Sequence, residues 1–215
     1  MASWNMHLPK LYPITDMRLT GLSHAEQVAR LGAGGATLVQ LREKHLSPRE
    51  FYRAALEALR VATALGVRLI INDRADIALA LHADGVHLGQ DDLPPEAARR
   101  LLGPTAIIGF STHNLEQAIA AASLPIDYIA IGPIYSTSSK ERPDPVVGLE
   151  GLRLLRQATG STALVAIGGI TGRNAPSVLA AGADSVACIS TLLAEPSEIE
   201  KRTRELLSLL EAQKP

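Results

Sequence analysis

The chain has 215 residues, 47% of them apolar and 20% charged, enough for one sizeable domain with its own core. Lys plus Arg (21) nearly cancels Asp plus Glu (22), so the net charge of -1 provides no global basic field for nucleic acid or anionic lipid, and any anion site must be local. The one cysteine, Cys188, excludes an internal disulfide, and no apolar stretch approaches the roughly 18–20 residues that span a bilayer, so a reducing, cytoplasmic setting without membrane or nucleic-acid partners is expected.

Residues 1–10 lack the apolar core of a signal peptide and read as a tail, with a single folded domain over 11–215. The first apolar run, Leu11 to Ile14, exits into Thr15 and Asp16. Ser23 and Glu26 then form a capping box that opens a helix over about 22–34. The second run, Thr37 to Leu41, carries Gln40, Arg42 and Lys44 at alternate positions, which places all three on one side. A second capping box, Ser47 and Glu50, opens a helix over about 47–65.

Val67 to Ile71 exits into Asn72 and Asp73 before a helix over about 74–82. Gly85 to Leu88 exits through Gly89-Gln-Asp-Asp92, and Pro94-Pro95 presets a first helical turn over 94–102. Ala106 to Phe110 leads to Ser111-Thr-His113, and Asn114 with Gln117 starts a helix over 114–122. Asp127 to Ile131 is followed by a long stretch, Gly132 to Val147, rich in Ser, Thr and Pro and carrying Lys140, before a helix over 148–159. Leu164 to Ile167 ends at Gly168-Gly169 before a helix over 172–181, and Ser185 to Ile189 ends at Ser190. Ser197 and Glu200 match a third capping box for a last helix over 196–212.

Near-continuous apolar runs of this length read as strands buried on both faces, the habit of parallel sheets. Eight strands, each followed by one helix, predict an α/β single-domain (β/α)8 barrel, whose chemistry lies at the carboxyl ends of the strands. Those ends carry a consistent set of groups. Arg42, Lys44 and Lys140 are three cations, and Asp73 and Asp92 are carboxylates from neighbouring strands that suit one Mg²⁺. Cations, a divalent ion and hydroxyls at one mouth describe a diphosphate site. Gly168-Gly169 and Ser190 describe a second, monophosphate site after strands seven and eight. Two phosphorylated substrates being joined fits both.

Blander readings compete. Asp73 and Asp92 each suit an N-cap, and Arg42 and Lys44 suit solvated strand ends. His24, His45 and His82 read as surface or packing residues, His87 as an inward, hydrogen-bonded core histidine, and Cys188 as a small buried hydrophobe.

Gln40-Leu-Arg-Glu-Lys44, Ile71-Asn-Asp73, Ala83 through Asp92, Gly132-Pro-Ile-Tyr-Ser-Thr-Ser-Ser-Lys140, Ile167-Gly-Gly-Ile170, Gly182-Ala-Asp184 and Ile189-Ser190 follow one another in an order and spacing that resembles the thiamine-phosphate synthases. The likeness runs from about Leu11 to Leu193. It implies a transferase that joins hydroxymethylpyrimidine diphosphate to a thiazole phosphate, plain or carboxylated, giving thiamine monophosphate and diphosphate by dissociative substitution, with carbon dioxide lost as well from the carboxylated form. By motif, Gln40, Leu41, Arg42, Glu43, Lys44, Asn72, Ser111 and Lys140 would line the pyrimidine diphosphate, with Lys44, Arg42, Lys140 and Ser111 acting on the leaving group. Asp73 and Asp92 would bind Mg²⁺. Thr137, Ser138, Ser139, Gly169, Ile189 and Ser190 would hold the thiazole phosphate.

One departure is that Thr137-Ser138-Ser139 stands where the family usually has Thr-x-Thr, which keeps the hydroxyl and loses a methyl. Two other functions compete: a thiazole tautomerase using His113, whose Ser-x-His context resembles that related family, and a non-catalytic barrel that binds a phosphorylated ligand. The tautomerases generally lack the equivalents of Lys44, Asp73 and Asp92, which this chain keeps. The outer helices offer several apolar faces to a second copy, and none is singled out.

Overall fold

The computed structural model describes residues 8–137 and 144–212. Eight parallel strands alternate with helices around a barrel: β1 Leu11–Pro13, β2 Leu38–Leu41, β3 Arg68–Asn72, β4 Gly85–Leu88, β5 Ile107–Thr112, β6 Tyr128–Ile131, β7 Leu164–Ile167 and β8 Ser185–Cys188. Ladders run unbroken from β1 through β8 and back around to β2. The ring closes between β1 and β2 on a single bridge, Ile14 to Gln40, with the Thr15 N–H donating to the Gln40 carbonyl at 2.9 Å. This is the (β/α)8 barrel that the alternating periods predict.

The helices are α1 Met17–Thr20, α2 His24–Ala33, α3 Pro48–Leu65, α4 Ala75–Leu81, α5 Pro95–Leu102, α6 Leu115–Ala121, α7 Gly148–Thr159, α8 Ala175–Ala180, α9 Ser190–Leu193 and α10 Ile199–Glu211, with a 3-10 turn at Pro196–Glu198. One helix per strand is therefore too simple: α1 and α9 are extra single turns inserted after β1 and β8. Ser23 and Ser47 form their capping boxes with Glu26 and Glu50. The third box is absent, because the 3-10 turn takes up Pro196–Glu198 and Ser197 donates its hydroxyl to Glu195 instead. The tail also ends earlier than residue 10: Leu8 is buried with Tyr12, Leu38 and Ile70 inside the barrel, and the Lys10 carbonyl accepts from the Val186 N–H.

Strand parity sorts the residues. Leu11, Val39, Leu41, Leu69, Ile71, Val86, Ile108 and Ile129 pack outward against the helices. Tyr12, Ile14, Leu38, Ile70, Ile107, Tyr128, Val165 and Ala187 pack inward. On the inward face, the positions two residues further along β2 and β3, Gln40 and Asn72, are polar, and so are His87 on β4 and Ser111 on β5. The barrel is thus apolar below and polar at its carboxyl mouth.

The opposite end is held by a repeated device. The aspartate just before each of β4, β6 and β8 turns back to accept a backbone N–H of the preceding strand: Asp84 from Leu69, Asp127 from Ile108 and Asp184 from Leu164. Arg99 of α5 and Arg156 of α7 pair with Asp127 and Asp184 and also donate to the carbonyls entering β5 and β7. These links tie strand starts to helices far from the mouth. Asp127→Ala strips the Ile108 N–H of its side-chain acceptor and Arg99 of its ion-pair partner in a mostly buried place, so we expect a loss of about 1–3 kcal/mol in denaturant unfolding. Glu150→Ala, which breaks only an exposed pair with Arg153, serves as the comparison and should leave stability unchanged; equal effects of the two would contradict the device.

Candidate active site

A cavity of about 600 Å³ opens at the carboxyl ends of the strands. The inward parity of β2 carries past the end of the strand, so Gln40, Arg42 and Lys44 all line it. Leu41 and Glu43 point the other way. The Leu41 side chain is fully buried in the layer between strands and helices. Glu43 turns back as a clamp: its Oε1 accepts the N–H groups of Lys44, His45 and Leu46, and its Oε2 lies 3.4 Å from His24 Nε2. Burial alone would raise the Glu43 carboxyl, but these N–H donors and His24 hold it below the usual carboxylate range. His24 is fully buried, its Nδ1 2.8 Å from Thr15 Oγ1, and burial pushes its imidazole down against the pull of Glu43. Both side chains brace the seam between β1 and β2 from behind.

The rim of the cavity carries the charge. Lys44 Nζ donates to Asp73 Oδ2 at 2.5 Å, and Asp92 faces the same carboxylate. Burial raises the Asp73 carboxyl, Lys44 opposes that, and the neighbouring Asp92 adds to it. Arg42 Nη1 stands 3.8 Å from Asp16 Oδ2. Asp16 caps α1 by accepting the Leu19 N–H, whereas neither Asp73 nor Asp92 caps a helix. The N-cap positions are Arg74 for α4 and Pro94 for α5, neither with a side-chain cap, Asp73 itself stands at φ 62, and Asp92 accepts the Gly89 N–H at 2.7 Å. Their carboxylates are therefore free of capping duty. Among the described residues no group of three or more His, Cys, Asp or Glu gathers to cage a metal. Two facing carboxylates instead suit a hard divalent ion whose other ligands are waters and substrate oxygens.

Below the rim the polar groups are neutral. Asn72 is buried, and its Nδ2 has no partner, leaving an N–H donor in the cavity wall. Gln40 Nε2 donates to the Tyr12 hydroxyl at 3.4 Å, Tyr12 and Tyr128 hydroxyls lie 3.0 Å apart, Tyr128 reaches His87 Nδ1 at 2.9 Å, and His87 Nε2 reaches Ser111 Oγ at 2.8 Å. Burial pushes the His87 imidazole down to about 4 against the pull of Asp92, so the ring is neutral. Sequence reasoning caught His87 as a core histidine but missed both tyrosines, whose only signal was inward parity on β1 and β6.

The facing wall comes from β6, β7 and β8. Gly168 and Gly169 both have positive φ, 101 and 63, and a Cβ at either would come 2.6 Å from Pro133 Cβ or the Ser136 carbonyl oxygen. Only glycine lets this backbone lie flat under the Gly132–Thr137 segment. Gly169, Thr137, Ile189 and Ser190 all line the cavity. Ser138, Ser139 and Lys140 lie outside the described residues. His113 lines the cavity edge, its Nδ1 3.2 Å from the Gly132 carbonyl and 3.4 Å from Asp144 Oδ2. His45 and His82 are exposed, as surface residues should be.

Residues 11–192 match the profile of the family described as thiamine monophosphate synthase. The chain is 49% identical to a thiamine-phosphate synthase of Koribacter versatilis over 98% of its length and 99% of the relative's. It is also 45% identical to one of Chloroflexus aurantiacus over 94% and 92%. Among solved structures it resembles a thiamine phosphate pyrophosphorylase from Pyrococcus furiosus, with 37% identity, a TM-score of 0.84 and coverage of 94% and 96%.

Cys188 touches the cavity but is buried, and its thiol is pushed up to about 12 by burial. The reactive thiolate is therefore disfavoured near neutral pH. We expect a thiol reagent to leave the native protein unlabelled and to label one cysteine per chain in denaturant; rapid native labelling would contradict this burial.

Proposed function

The chain belongs to the thiamine monophosphate synthase family, and we propose that it joins hydroxymethylpyrimidine diphosphate to a thiazole phosphate, forming thiamine monophosphate and releasing diphosphate. The observation that carries this reading is the convergence of Lys44, Asp73 and Asp92 on one rim, above Gln40, Asn72 and Ser111 and across from Gly169 and Ser190. One wall thus offers cations and carboxylates for linked phosphates, and the other offers backbone and hydroxyls for a single phosphate. The resemblance supplies the substrates' names; the two-sided cavity supports the pairing.

Asp73 and Asp92 are the residues that would hold Mg²⁺, since hard oxygen donors in a pair, with nothing soft beside them, fit that ion's habit. When bound, it would supply charge neutralisation for the linked phosphates. The chain's own groups do the rest. In a dissociative substitution the C–O bond to diphosphate breaks, its electrons leave with the diphosphate, and the neutral thiazole nitrogen then donates its pair to the freed pyrimidine methylene carbon. No proton moves, so no general base is required. Arg42, Lys44 and Lys140 would stabilise the negative charge that grows on the leaving oxygens, and Ser111 would donate a hydrogen bond to them. Gln40 and Asn72 would orient the pyrimidine through their amides. The Gly168–Gly169 turn, with Thr137, Ser138, Ser139 and the Ile189–Ser190 backbone, would seat the thiazole phosphate. The near-zero net charge of the chain and the lone buried thiol fit a cytoplasmic protein.

The test is product formation from both substrates with and without a chelator of divalent ions. We expect turnover that chelation abolishes, and losses of about 10²–10³ in kcat for Lys140→Ala and for Asp73→Ala. Near-normal turnover in either variant would overturn the assignment. Interconversion of thiazole tautomers without Mg²⁺ would favour the His113 tautomerase, and tight binding without product would favour a binding barrel.

A further inference from the structure

Beneath the charged rim, four hydrogen bonds cross the barrel from Gln40 on β2 to Ser111 on β5 by way of Tyr12, Tyr128 and His87. We propose that Tyr12, Tyr128 and His87 are positioning residues, forming a one-way relay that makes Ser111 an acceptor from below and so turns its own hydroxyl hydrogen into the cavity.

The sense of the relay follows from counting protons. The Gln40 amide nitrogen can only donate, so the Tyr12 oxygen accepts from it. The Tyr12 hydrogen then has Tyr128 as its acceptor, and the Tyr128 hydrogen has His87 Nδ1. The His87 ring proton is thereby assigned to Nε2, which donates to Ser111 Oγ at 2.8 Å. Run the other way, or with both ring nitrogens protonated, the chain would leave the buried Tyr12 hydrogen facing another donor. An unpaired donor in so buried a place is costly, which favours the stated sense.

The local packing is built for this path. Tyr128 lies flat on His87, with ring centres 5.6 Å apart and planes 16° apart, and meets Tyr12 edge-on at 5.8 Å. The strand neighbour Gly109 makes the room: a Cβ there would come 2.0 Å from Tyr128 Cζ. A plain aliphatic core would need neither the glycine nor two buried hydroxyls. The relay's sense stands on this geometry alone; that the Ser111 hydrogen meets a leaving diphosphate rests on the function proposed above.

Two measurements decide it. In protein labelled with ¹⁵N-histidine at neutral pH, with His87 assigned by its loss in His87→Gln, we expect Nε2 protonated and Nδ1 bare. Tyr128→Phe should release the ring into a mixture of tautomers. A ring protonated at Nδ1, or an unchanged spectrum in Tyr128→Phe, overturns the relay whatever the enzyme does. In turnover assays Tyr128→Phe should lower kcat about 10–100-fold with little change in KM, the range seen when outer partners of a working group are removed. In a Ser111→Ala background the same change should cost nothing further. His87→Gln, whose amide nitrogen falls near Nε2 and can still donate to Ser111, should retain more kcat than His87→Leu, which should match Tyr128→Phe. An equal loss for Tyr128→Phe with and without Ser111 would mark a merely structural role and overturn the proposal. If the wild-type protein fails to join the two substrates, the function reading fails, while the tautomer still decides the relay.

Discussion

A closed ring of eight parallel strands turns every second side chain into an interior just wide enough for side chains to fill. That constraint organises this molecule. A side chain on an inward position is costly unless it is apolar and packed or polar and satisfied by another inward group, because bulk water does not reach the barrel floor, and Asn72, whose Nδ2 has no partner, stands out against that rule. Leu38, Ile70, Ile107 and Val165 take the first solution. Gln40, Tyr12, Tyr128, His87 and Ser111 take the second, as one connected set. The change from one to the other occurs two residues further along β2 and β3, and it is what makes a polar mouth out of an apolar barrel.

Charge is distributed by depth for the same reason. The acidic and basic side chains, Lys44, Asp73, Asp92 and Arg42, stand past the ends of their strands, where solvent still reaches them and the cost of holding a charge is moderate. Below them each polar group is neutral, and burial holds it so: His87 is pushed down, and Tyr12 and Tyr128 are pushed above the usual phenol range. A diphosphate bound at this mouth would meet charges at the rim and only neutral donors deeper in. Charge that grows during bond breaking would therefore be met where cations are gathered, and the floor would keep its geometry throughout.

Much of this was legible in the residues, and what was not has a common cause. The alternation of apolar runs with helix-start signals carries the barrel, and the polar residues at strand exits carry the rim, because both depend only on local spacing. The family motif assigns Leu41 and Glu43 to the site. Parity sends them to the opposite face, one into the helix layer and one into the seam behind Arg42. The Ser197 capping box fails because its residues were already used by a 3-10 turn, a competition that spacing alone does not reveal. The tyrosines escaped because a hydroxyl's value depends on a partner 116 residues away. Long-range pairs across a barrel leave no periodic trace.

The seam between β1 and β2 shows how the same constraint reaches function. Seven ladders hold the ring, but here a lone bridge at Ile14 and Gln40 closes it, at the point where Gln40, Arg42 and Lys44 leave for the rim. With so little backbone pairing, their direction has to be set by side chains. Glu43 gathers three N–H groups of the turn that follows, His24 joins Glu43 to Thr15, and the Thr15 hydroxyl accepts the Arg42 N–H at 3.3 Å. Glu43 and His24 thus stand behind the strand and do not line the cavity. Their work is to aim the residues on the other face. In a barrel, inward and outward positions alternate along one strand, so the groups that do chemistry and the groups that hold them in place are neighbours in sequence and opposites in space.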